Sequence, residues 1–264
     1  LRSTANDFLS FGILGFSDKA GDLDQKITAV YGAINYNKSI SSANNSYLSV
    51  GFTGSYKQYS LDLSNARVNN QFVGGIYSAS NPTLETFPVP KRSNYDVGAG
   101  VSYNFTPGFE KRTTYFLGVS GYHFNQPKFS YYNNGFTENI RWNANAGLVS
   151  KLDERYMLQV PVNFALQGTY QEIIFGGLFG WHSFTATTDP NFEIYAGAMY
   201  RISDAIVPVV KLRYKNFGIG MSYDVNISSL HNASKLQGGY ELTLTLSGNY
   251  PKDPEYRMTV CPRF

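Results

Sequence analysis

Very few side chains in this chain could carry chemistry. The three histidines, His123, His182 and His231, stand far apart, without metal-ligand spacing between any two. A serine hydrolase needs its serine within reach of a histidine. Ser183 follows His182 directly, and on a strand neighbouring side chains point to opposite faces. The single cysteine, Cys261, excludes an internal disulfide framework and a cysteine-based metal cluster. No phosphate-cradling glycine loop is present. The histidines therefore read as lining or interfacial residues, and neither enzymatic activity nor a cofactor is expected. Two other groups remain. Lys211, Arg213 and Lys215 recur at every second position and could meet Asp224 and Glu241 on the following strands. They would form an anion pathway or, in the preferred reading, a ladder of lumen charges paired across strands. Tyr131, Tyr132 and Phe136 form an aromatic cluster that could anchor a protein partner or equally pack over a barrel mouth.

The elements that position these residues are strands. In Tyr240-Glu241-Leu242-Thr243-Leu244-Thr245-Leu246-Ser247, one parity is apolar and the other polar. A strand sends these to opposite faces, whereas a helix would set Leu242 and Leu244 about 200° apart. Phe217 to Asn226 alternates in the same way, as do Tyr95 to Phe105, Trp142 to Leu148, Leu158 to Gln167, Ile173 to His182, Phe192 to Arg201 and Ile206 to Lys215. Leu48 to Lys57 and Thr114 to Phe124 are further strands. Phe8 to Phe16 and Ile27 to Asn37 are also strands, but both parities carry apolar residues and their facing is ambiguous. The count is about twelve, each near the ~9–11 residues that cross an outer membrane.

Composition narrows the class. Charged residues make up 16% of the 264-residue chain, below the quarter usual in soluble domains, while aromatics also reach 16%. Mean hydropathy is −0.27, and the longest apolar stretches, such as Ile173 to Trp181, fall far short of a membrane helix. A net charge of +3 is too small and scattered for nucleic acid. Few charges, many aromatics and short alternating segments suit an all-β, antiparallel transmembrane β-barrel in contact with outer-membrane lipid. A soluble β-sandwich is the alternative. It would place aromatics at strand centres, whereas Tyr95, Phe105, Trp181, Phe192, Tyr200, Tyr214 and Phe217 sit near strand ends, where membrane-interface girdles belong.

Connection lengths agree. With the last strand ending in the periplasm, the outward connections include Leu61 to Asn94, Asn125 to Ile140 and Asn226 to Gly239. The inward ones include Leu152 to Arg155 and Lys215-Asn216-Phe217. Long outside and short inside is the asymmetry of such barrels. Gln167 to Tyr170 (short, outside) and Ser183 to Asn191 (longer, inside) depart from it. Pro161 is awkward in mid-strand, because proline removes a ladder donor.

Several stretches, taken in order, resemble the PorP/SprF family of outer-membrane proteins. They are Asp18-Lys19-Ala20-Gly21, Gly135-Phe136-Thr137-Glu138-Asn139-Ile140-Arg141-Trp142, Tyr170-Gln171-Glu172-Ile173 with Gly176-Gly177-Leu178-Phe179-Gly180, Tyr200 to Pro208, Tyr214-Lys215-Asn216-Phe217, Gly220 to Asn226 with Ser228-Ser229-Leu230, and the closing Cys261-Pro262-Arg263-Phe264. The resemblance implies a non-enzymatic barrel component of a type IX secretion and gliding-motility machinery in the bacterial outer membrane. Its implied partners are periplasmic ring proteins or lipoproteins and a secreted adhesin or its C-terminal sorting domain. It also implies strands ahead of Leu1 and fourteen in the whole barrel. A diffusion channel or hydrophobic-substrate transporter is the alternative function, since fold alone does not choose. The expected organisation is a barrel over residues 1–248 and a periplasmic tail over 249–264, with both termini periplasmic. Pro251 breaks the alternation of that tail, and the resemblance points to a docking segment with Cys261, Pro262, Arg263 and Phe264 at its end.

Overall fold

The computed structural model describes residues 7–21, 23–41, 45–62, 67–82, 89–108, 112–131, 135–183, 192–228 and 238–248. Twelve strands follow one another as an antiparallel meander. They are β1 (Phe8–Ala20), β2 (Gln25–Ser41), β3 (Ser46–Ser60), β4 (Lys91–Phe105), β5 (Thr113–Tyr122), β6 (Arg141–Lys151), β7 (Tyr156–Gln167), β8 (Tyr170–Ser183), β9 (Phe192–Arg201), β10 (Ala205–Tyr214), β11 (Phe217–Tyr223) and β12 (Tyr240–Leu246). Together they form the wall of a transmembrane β-barrel. β1 and β12 are the edges of the described sheet. After Asp224, Val225–Asn226 returns to pair with β10, so the wall continues past a one-residue break.

Cross-strand register settles the facing that alternation left ambiguous. Phe8 pairs with Asn37 and Phe16 with Ala29, and β2 pairs onward so that Asn37 meets Ser49 and Ala29 meets Lys57. Asn37, Ser49, Ala29 and Lys57 are buried, which assigns their parity to the lumen. Leu14 and Phe16 share that inner face, which is why the first strand shows no clean alternation. The outer face carries the exposed apolar set, including Val50, Phe52, Val101, Val119, Val210, Leu242 and Leu244.

Aromatic contacts on the outer face gather at both ends of the wall. Tyr56–Tyr95, Phe124–Trp142 and Phe175–Tyr200 lie toward the end with the long connections. Phe105–Tyr115 and Tyr156–Phe179 lie toward the other. Such paired belts mark the two membrane–water interfaces.

Strand lengths depart from the expected uniformity. β2 has 17 residues and β3 and β4 have 15 each, whereas β11 and β12 have 7. At roughly 3.3 Å per residue the longest strands exceed the ~25 Å apolar band, so the β2–β4 side stands well above the membrane. β4 accordingly begins at Lys91, inside the stretch that sequence assigned to a loop.

Pro161 has a local solution. β7 pairs with β8 at Gln159↔Leu178 and resumes in the same register at Val162↔Phe175. The ladder is interrupted opposite Gly176 and Gly177, where a missing N–H is tolerated. Next to this gap, a methyl group added to Gly197 would collide with the carbonyl oxygen of Gly177. Gly197→Ala should therefore reduce the folded fraction seen by heat-modifiable electrophoretic mobility. Gly218→Ala, whose methyl would sit 3.5 Å from Thr245, should leave it unchanged.

Candidate functional site

Three groups of paired charges stand on the inner face, the first and third with buried members. The first lies where the long connections emerge. Lys57 on β3 places its ammonium 3.0 Å from Asp96 Oδ2 on β4 and 3.8 Å from Glu138 Oε2. His123, which leaves β5 with φ of 63°, sets Nδ1 2.9 Å from Asp96 Oδ2 and 3.0 Å from Glu138 Oε2. Tyr59 donates its hydroxyl proton to Glu138 Oε1 at 3.1 Å. Burial alone would raise the Glu138 carboxyl, but the His123 imidazole, Lys57 and the Tyr59 hydroxyl outweigh it and hold it below the usual range. The resulting stabilisation is present above the ordinary carboxylate pKa and is lost as pH falls through the lowered folded-state value.

This group ties the second long connection to the wall. The connection contains a short hairpin, Lys128–Phe129 paired with Phe136–Thr137. Arg92 donates to Ser130 O at 3.0 Å and Asn94 to Lys128 O at 2.7 Å, both from the lumen face of β4. Phe129 packs on Tyr59 at 4.7 Å between centroids, and Tyr131 accepts a hydrogen bond from Gln25. Tyr131 is thus turned inward against the mouth. Phe136 is 76% exposed and stays available on the surface. Tyr132 lies outside the described residues, as do Cys261, Pro262, Arg263, Phe264 and His231.

In the second group, at the same end, Arg201 reaches Asp204 at 2.8 Å, Asp224 at 3.1 Å and Glu172 at 3.6 Å. The third lies toward the short-connection end. There Glu193, almost fully buried, accepts from Tyr195 at 3.0 Å and pairs with Arg213, while His182 Nε2 is 2.9 Å from the Tyr195 hydroxyl. Of the expected lumen charges, Arg213 and Asp224 are paired, but not as the spacing suggested. Arg213 turns back to Glu193 on the preceding strand, and Asp224 is taken by Arg201. Lys211 does face the lumen. Lys215 sits in the β10–β11 turn with φ of 51°, its ammonium over the Tyr214 ring. Glu241 is exposed on β12, opposite Ser222.

Sequence reading missed Lys57, Asp96, Glu138, Arg201 and Glu193. Lys57 and Asp96 were visible on the polar parity of their strands, but a long connection separates those strands, so no turn geometry disclosed their register. Among the described residues no group of three or more His, Cys, Asp or Glu is arranged to hold a metal ion. Lining the middle of the inner face are Asn35, Ser49, Thr53, Ser102, Ser120 and Asn145, which bound a groove of about 280 Å³. This interior is neutral and hydrogen-bonding, with its charges confined to the two ends.

The model of the type IX secretion system membrane protein PorP/SprF matches residues 3–246. The chain belongs to the PorP/SprF family. No curated protein and no solved structure matches it. As a type IX secretion membrane component, this PorP/SprF chain is a β-barrel whose conspicuous inner chemistry is ionic pairing of its own wall and connections.

Proposed function

We propose that this PorP/SprF barrel is a non-enzymatic outer-membrane link, joining a periplasmic ring complex on one side to a secreted or surface adhesin on the other. The observation that carries this reading is the polarity of the family-matched wall. Its long connections gather at one end, two of them bearing small hairpins, and short turns prevail at the other. With the long end outward, exposed Phe136 is available to an exported partner, since exposed aromatics concentrate binding energy. In this reading the chain after Leu246 begins on the periplasmic side, and the segment ending in Cys261, Pro262, Arg263 and Phe264 docks the ring.

Copurification from native membranes tests both arms. Removing residues 259–264 should leave a folded barrel that no longer retains ring proteins. Phe136→Ala should retain the ring and lose adhesin. A truncated barrel that keeps the ring, or fails to fold, would remove the tail from this account. Unchanged adhesin recovery would do the same for Phe136.

A further inference from the structure

In the described arms of the second long connection, 123–131 and 135–140, His123, Phe129, Tyr131 and Glu138 turn into the mouth, while Phe136 at the hairpin stays exposed. We propose that these arms are a gate closing the long-connection end of the lumen to small neutral hydrophilic solutes, latched by the buried cluster of Lys57, Asp96, His123 and Glu138. The seat spans much of the wall. Gln25 on β2, Tyr59 on β3, Arg92 and Asn94 on β4 and Gln167 on β7 all hold the arms, the last by donating to Asn139 O at 3.2 Å.

The root of the arms is built to stay fixed while the rest moves. Phe124 N–H donates to Val97 O at 3.2 Å, and the Asn125 side chain bonds both Tyr95 O and Val97 N–H. His123 and Gln126 at this root have φ of 63° and 42°, the sharp left-handed bends that redirect the chain from the wall into the mouth. Distal to the root, the latch depends on one carboxylate. Of the four ionisable groups, only Glu138 belongs to the returning arm; Lys57 and Asp96 lie on the wall and His123 at the strand exit. Losing Glu138 leaves Lys57 and Asp96 paired at 3.0 Å, so the latch can be broken without stranding a buried wall charge.

Beneath the seat begins the groove of about 280 Å³ lined by Asn35, Ser49, Thr53, Ser102, Ser120 and Asn145. Hydroxyls and carboxamides offer donors and acceptors without net charge. A path of that chemistry suits neutral polyhydroxy solutes and gives ions no counter-charge.

Liposome swelling with a small neutral sugar reads the gate, using the full chain with Cys261→Ser. This parent should be slow. Glu138→Ala should swell roughly tenfold faster, because a lost charge-assisted hydrogen bond shifts a closed–open equilibrium by about that factor. In a Gln25→Cys, Tyr131→Cys version of the variant, a short bismaleimide joining the two positions should restore the slow rate. Glu138→Ala swelling at the parent rate, or swelling indifferent to the cross-link, would overturn the gate. Should Glu138→Ala not assemble, Asn94→Ala with Tyr131→Ala removes seat contacts alone and is judged by the same rates. Ring and adhesin retention are not read here, so failure of the gate leaves the linking role standing.

Discussion

Leu244→Arg is expected to prevent assembly of the barrel in the membrane, while Thr243→Arg, one residue away, is expected to allow it. Leu244 pairs with Ile219 on the outer face, and Thr243 pairs with Gly220 on the inner one. An arginine on the lipid face near mid-membrane costs ~2–4 kcal/mol, against a total stability of roughly 5–15 kcal/mol for a typical fold. The same arginine at 243 faces the lumen opposite Gly220, with Lys211 one strand further on. The measurement is the fraction of chain showing heat-modifiable mobility after expression in membranes. Equal loss for both substitutions would contradict the facing derived from register.

Lys57→Met is expected to be the most destabilising change on the inner face, by ~3–5 kcal/mol, because it strands a buried carboxylate. Lys57 and Asp96 side chains are only 9% and 5% exposed. Asp96 Oδ1 already lacks a hydrogen-bond partner, so the ammonium at Oδ2 is its principal compensation besides His123. Adding Asp96→Asn to Lys57→Met should recover much of the loss, since a neutral amide needs no counter-charge. Urea unfolding in detergent micelles measures the cycle. Additive single and double losses would show that the two groups do not act as a pair.

How much of this could be read beforehand follows from the physics of strands. A period of two is local, so the facing of β4, β6 to β10 and β12 was legible from a few residues each. Aromatic strand ends and connection lengths then identified the membrane. Pairing partners are not local. Arg213 had candidate acids on the following strands, yet its partner Glu193 lies on the preceding one, and both choices satisfy the same parity. Only register separates them, and register depends on turns whose length the sequence left uncertain. Tyr131 shows the other limit: an aromatic in a connection has the same signature whether it faces a partner or its own barrel. The inner-face position of Leu14 and Phe16 defeated alternation in β1 because both faces there are apolar.

The interrupted ladder at Pro161 also bears on how the wall carries load. A β-wall pulled apart strand from strand yields bond by bond, like a zip. Across β7 and β8 the zip lacks teeth opposite Gly176 and Gly177, and the glycines there contribute no interlocking side chains. Rates of forced unfolding follow the barrier to rupture rather than overall stability. Within the β7–β8 boundary, tension would therefore find its weak point opposite Gly176 and Gly177.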